Sequence, residues 1–116
     1  MMTNLAEKLD RELVAVCDLD ALHTNLGVGA LIKGKQLALF KLRSGEVVAV
    51  GNFDPFSDAN VISRGLVGDL KGHKVVASPL YKHHFDLYTG ECLEDATVRI
   101  PVYEVVVNDG KVMIAV

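Results

Sequence analysis

The feature that most constrains this chain is its punctuation: from Leu13 onward, apolar runs of strand length are cut at short intervals by turn-forming residues. Lys33-Gly34-Lys35 separates two such runs, Arg43-Ser44-Gly45 the next two, and Asn108-Asp109-Gly110 precedes the last. Glycine supplies the positive φ that tight hairpins favour, so each triplet reads as a reversal between neighbouring strands. Short strands at this spacing are the all-β pattern. They are expected at 14–17, 29–32, 36–42, 46–50, 75–77, 85–87, 102–107 and 111–116. In Gln36-Leu37-Ala38-Leu39-Phe40-Lys41-Leu42 the alternation is imperfect, as expected of a strand covered on both faces or turning a barrel corner. Pattern alone predicts a small antiparallel barrel or sandwich.

At 116 residues the chain is one domain by length, able to bury roughly two thirds of its unfolded surface without a disulfide staple. Half of its residues are hydrophobic, many of them Val and Leu in the short runs that suit strands. The net charge of −3 provides no basic face for a phosphate backbone, which excludes nucleic acid as a partner. No apolar run approaches the roughly 20 residues needed to span a bilayer, and the first ten residues lack the charged and apolar regions of a secretory signal. Cys17 and Cys92 are far apart and form no Cys-x-x-Cys pair; both read as small buried or half-buried hydrophobes of a reduced, cytoplasmic protein. Residues 2–12 are polar helix formers, read as a frayed end or a short helix without function.

Catalytic constellations are missing. Ser44, Ser57, Ser63 and Ser78 sit in no Gly-x-Ser-x-Gly elbow, and Gly27-Val28-Gly29-Ala30 lacks the third glycine of a dinucleotide fingerprint. His83 and His84, with His73, Asp86 and Tyr81, raise a metal site as an alternative. Adjacent residues on a strand point to opposite faces, however, so His83 and His84 are not expected to share an ion. His23 reads as a surface residue.

Two segments carry a resemblance. Asn52-Phe53-Asp54-Pro55 and Ser78-Pro79-Leu80-Tyr81, the latter followed by Phe85-Asp86-Leu87-Tyr88-Thr89-Gly90, resemble the two cluster-binding loops of a Rieske iron–sulfur domain. In such a domain each loop gives one Cys and one His to the [2Fe–2S] cluster. Asn52, Asp54, Ser78 and Tyr81 stand at those four positions here, so every ligand is replaced. Together with Ser63-Arg64-Gly65-Leu66-Val67-Gly68-Asp69, the two ligand-less loops are similar to the small subunit of assimilatory NAD(P)H-dependent nitrite reductase, over about Val14 to Val116.

That resemblance implies a Rieske-like fold, with an antiparallel sandwich over residues 13–116 carrying an inserted, vestigial cluster-binding subdomain at 51–89. It also implies a non-catalytic accessory subunit, without catalytic, cofactor or metal residues of its own. Its partner would be a large subunit bearing FAD, siroheme and an iron–sulfur center, which reduces nitrite to ammonia in the cytoplasm. Two other readings stand beside it: a true Rieske electron carrier, which the four replaced ligands argue against, and a free-standing Rieske-like binding module without a redox cofactor.

Within the subdomain, Asp54-Pro55 is expected to start a turn and Ser57 to cap a helical turn over 58–60. Gly65, Gly68 and Gly72 are expected to leave the following stretch as loop. Phe53, Phe56, Leu80 and Tyr81 would form an aromatic and apolar tip flanked by Arg64, Lys82, His83 and His84. Phe53 and Leu80 read as packing the loops together in place of a cluster. Phe56, Arg64, Leu80, Lys82 and His83 are the candidates for a partner surface, because aromatic and Arg residues around a small apolar center are what such surfaces favour.

Overall fold

In the computed structural model, residues 13–116 are described; the helix considered for residues 2–12 lies outside them. Twelve strands follow in order. They are β1 (Leu13–Asp18), β2 (Val28–Ile32), β3 (Lys35–Lys41), β4 (Val47–Gly51), β5 (Phe53–Asp54), β6 (Ala59–Asn60), β7 (Leu66–Leu70), β8 (His73–Ala77), β9 (His84–Asp86), β10 (Val102–Tyr103), β11 (Val105–Asn108) and β12 (Lys111–Ala115). They pair antiparallel into sheets of order β1-β12-β11, β10-β4-β3-β2, β5-β6 and β7-β8-β9. The all-β expectation holds. No helix among the described residues is long and apolar enough to cross a membrane.

The imperfect alternation of β3 has a plain cause. Ala38 and Phe40 point into one core with Val48, Val50, Ile62, Val76, Phe85 and Leu87, while Leu37 and Leu39 point into a second with Val47, Ala49, Val112 and Ile114. The β3–β4 pair is therefore a shared wall, covered on one side by the β1-β12-β11 sheet and on the other by the segment that carries the two loops. Burying apolar groups on both faces removes the polar half of the usual strand pattern.

Three differences from the sequence reading stand out. The single strand expected at 102–107 breaks at Glu104: Val102 and Tyr103 pair with β4, whereas Val105–Asn108 pairs with β12. The chain thus changes sheet there and closes one side of the sandwich. The stretch expected to be loop is instead the β7–β8 hairpin. Gly72 does not break it but makes its turn, with Lys71 at φ 53° and Gly72 at φ 82°, as at Lys33-Gly34 (51°, 78°) and Asp109-Gly110 (54°, 75°). Both central residues of each two-residue turn thus take the positive φ whose twist suits adjoining strands. Finally, Ser57 caps no helix. Phe53 and Asp54 pair with Asn60 and Ala59, and the capping carboxylate is that of Asp54, whose Oδ1 accepts the Phe56 N–H at 2.9 Å.

Candidate functional site

The first loop follows β4 and the second joins β8 to β9, and the two are joined by polar groups. Asn52 is buried; its Oδ1 accepts the Ser63 N–H at 2.7 Å, and its backbone carbonyl accepts the Ile62 N–H at 3.1 Å. This fastens the first loop to the short 3-10 turn Ile62–Arg64. Asp54 is fully buried, and its Oδ2 accepts a very short hydrogen bond from the Ser78 hydroxyl, which is buried as well. Burial pushes the Asp54 carboxyl up, but the Ser78 hydroxyl and the N–H groups of Phe56 and Ser57 outweigh it and hold the group below the ordinary carboxylate value. An ionised carboxylate accepting several donors is a strong clasp in a dry site.

The second loop is closed on itself. Ser78 N–H donates to the His83 carbonyl at 2.9 Å and Lys82 N–H to the Ser78 carbonyl at 3.0 Å, with Lys82 in the left-handed region at φ 59°. His83 lies flat on Phe56, ring centroids 3.6 Å apart and planes 7° from parallel, and Phe56 leans on Phe85 behind it. His84 turns the other way: Glu94 accepts its N–H at 2.7 Å and pairs with its Nδ1 at 2.6 Å. The two histidines thus take different partners, and His83 lies outside β9. Beneath the loop, Asp86 pairs with His73 Nδ1 at 2.6 Å and accepts the N–H groups of Tyr88 and Thr89. That carboxyl, too, is held low: burial raises it, and the His73 and backbone donors more than offset the rise.

The structure therefore divides the tip residues differently from the sequence reading. Phe53 and Leu80 do not pack the loops together; they are exposed, as is Tyr81. The packing between the loops comes from Phe56 and His83, so Phe56 is half-buried against the core rather than projecting, and His83 is not a solvated side chain. Arg64 and Lys82 reach the surface together, lining a groove of about 320 Å³ with Leu66, Pro79 and His84. Two readable signals point to the Asp54–Ser78 clasp: a carboxylate and a hydroxyl, each at a ligand position of a different loop. The Phe56–His83 stack has no local signature, since it joins residues distant in sequence.

Of the four residues that the resemblance sets at ligand positions, Asn52, Asp54 and Ser78 are buried and hydrogen-bonded, and Tyr81 is exposed. Carboxylate, hydroxyl and amide oxygens are hard donors, unsuited to iron–sulfur irons, and Asp54 and Ser78 touch across the space between the loops. The residues present do not fit a [2Fe–2S] cluster. Burial also pushes both thiols up, Cys92 inside the core and Cys17 beside Asp18, which keeps them protonated and poor ligands. Among the described residues no three His, Cys, Asp or Glu side chains converge on a metal position.

Fold and site together define a Rieske-like β domain with a buried polar clasp between its two loops. The family model described as "Rieske-like [2Fe-2S] domain" matches residues 12–115. The NADH nitrite reductase small subunit of Salmonella typhimurium (strain LT2) is 41% identical over 100 residues, which cover 85% of this chain and 93% of that protein. A Klebsiella oxytoca protein named nitrite reductase [NAD(P)H] large subunit is 41% identical over 100 residues, covering 86% of this chain but 10% of that protein. A crystal structure from Mycobacterium tuberculosis, assigned as an NADH-dependent nitrite reductase small subunit, superposes with a TM-score of 0.88 at 45% identity, covering 91% of this chain and 96% of that one. The chain belongs to the Rieske-like domain family and, within it, to the small subunits of NAD(P)H nitrite reductase.

Proposed function

We propose that this chain works in the cytoplasm as a non-catalytic accessory subunit, docking on a nitrite reductase large subunit and supplying a folded surface in place of a redox group. The large subunit would carry FAD, siroheme and an iron–sulfur center and reduce nitrite to ammonia with electrons from NAD(P)H. The observation that carries this reading is the Klebsiella protein, in which a domain 41% identical to this chain forms part of a polypeptide named as the large subunit. Two domains that share one polypeptide in one organism and are separate in another are natural partners. The buried Asp54–Ser78 clasp supports the second half of the reading, because it fills with oxygen donors the place from which a Rieske domain would pass an electron.

The test is co-expression of this chain with the large siroheme-type reductase subunit from the same genome, followed by purification through a tag on this chain. A stable complex is expected, and the separated small subunit should be colourless. Failure of the two to associate overturns the accessory-subunit reading. Visible absorbance of the isolated chain that tracks iron and acid-labile sulfide overturns the statement that it brings no redox group.

A further inference from the structure

In a chain with 15 acidic and 12 basic residues, the surface between the 3-10 turn and the second loop has the opposite character. Arg64 and Lys82 both line the groove there, and neither takes part in the ion pairs found among the described residues, which join His73 to Asp86, Lys74 to Asp69, His84 to Glu94 and Lys111 to Asp18. Among the described residues that line the groove there is no carboxylate. Glu94, which pairs with the groove residue His84, is engaged by both the side chain and the backbone N–H of that histidine.

The apolar part of the groove is equally unsatisfied. Leu66, which lines the groove with Pro79 and Ala77, is 77% exposed, and Leu80 and Tyr81, between the groove residues Pro79 and Lys82 in the chain, are 54% and 64% exposed. A monomer gains nothing from large apolar side chains held out in water, and their concentration beside unpaired cations is the composition of an interface center with a charged rim. The loop is also held in place before any partner arrives. Lys82 keeps a left-handed backbone that a lysine adopts only at a cost, and the two hydrogen bonds between Ser78 and residues 82 and 83 hold it there.

We infer that this groove seats an acidic, apolar-anchored segment of the large subunit, with one carboxylate between Arg64 and Lys82 and one aliphatic or aromatic side chain over Leu66 and Pro79. The inference rests on the accessory-subunit reading and deepens it by assigning the surface and the chemistry of its occupant. Phe56 and His83 act behind this surface, as the stacked pair that supports the loop.

The purified complex is treated with a water-soluble carbodiimide, which joins a lysine amine to a contacting carboxylate as an amide and is itself converted to the urea. Mass spectrometry should find a Lys82 cross-link to an Asp or Glu of the large subunit, and Lys82→Arg should abolish that link while the complex persists. Arg64→Glu combined with Lys82→Glu should lower affinity on the order of tenfold or more, mainly through slower association, and should flatten its salt dependence. Leu66→Asp should weaken binding while the melting temperature of the free subunit stays unchanged, because Leu66 packs against little in the free chain. A complex that forms normally with both sets of substitutions, or that cross-links only through lysines elsewhere, overturns the groove and leaves the accessory-subunit reading standing. If the wild-type chain binds no large subunit at all, the functional reading itself fails. Should the double variant misfold, the Lys82 cross-link and Leu66→Asp decide the matter.

Discussion

Ser78 is where one hydroxyl decides the state of a buried charge. Its hydrogen bond to Asp54 spans the two loops, and the carboxylate has no solvent to fall back on if that donor is lost. Ser78→Ala is expected to destabilise the domain by about 1–3 kcal/mol, the cost of leaving a buried acceptor short of a partner. The pH dependence follows from the sign of the shift. Asp54 is held below its ordinary value in the folded state, as are Asp86 and Glu94, so their stabilisation is present above the unfolded carboxylate pKa and is lost as pH falls through the lower folded values. Removing the Ser78 donor takes away the largest of the effects that hold the Asp54 carboxyl down and so raises its folded pKa, so acid unfolding of Ser78→Ala should begin at higher pH than in the wild type. Urea melts across an acid series check both statements; identical acid profiles would show that the hydroxyl contributes nothing to the ionised form. The resemblance picked out positions 52, 54, 78 and 81, but not the partners that their side chains take. Asn52 finds its partner in a backbone N–H of Ser63, and no side-chain pattern announces a backbone donor.

Among the elements, glycine carries opposite meanings that only position resolves. Gly68 lies within β7 with open space where a Cβ would project, whereas Gly90 has φ 79° and a backbone so close to the Ile100 carbonyl that a Cβ would collide with its oxygen. Gly68→Ala is therefore expected to stabilise by about 0.4–1 kcal/mol through the unfolded chain, and Gly90→Ala to destabilise by more than that. Thermal or urea denaturation of the two variants checks the contrast, and equal effects would refute it. The same ambiguity explains what the sequence pattern conveyed and what it hid. Lys33-Gly34 and Asp109-Gly110 were legible as reversals because apolar runs flank them on both sides. Lys71-Gly72 makes the same turn, yet Gly68 and Asp69 dilute the preceding strand and mask it. The break at Glu104 was illegible for another reason. Val102 to Val107 is β-favouring on both sides of a single Glu, too slight an interruption to mark a break, and the choice of pairing partner, β4 for one half and β12 for the other, divides it.

At the scale of the whole molecule, the strands that separate the two cores also bind them into one. Successive residues of β3 alternate between the cores, Leu37 and Leu39 facing β12 while Ala38 and Phe40 face the loop-bearing segment, and β4 does the same with Val47 and Ala49 against Val48 and Val50. Neither core can loosen without exposing one face of the wall that the other needs covered. The loop-bearing segment is thus expected to unfold with the sandwich in a single transition, despite having its own sheets. Ile62, buried in the core under the loops, and Ile114, buried in the sandwich core, provide matched probes. Ile62→Val and Ile114→Val should each cost about 0.5–1.5 kcal/mol, and in a cooperative molecule each cost is felt everywhere. Native-state hydrogen exchange reads this directly: the most protected amides of β8 and of β12 should lose the same increment of protection in either variant. If Ile62→Val lowers protection in β8 alone, the two loops ride on a unit that opens independently, and the preorganised surface they present would be only intermittently formed.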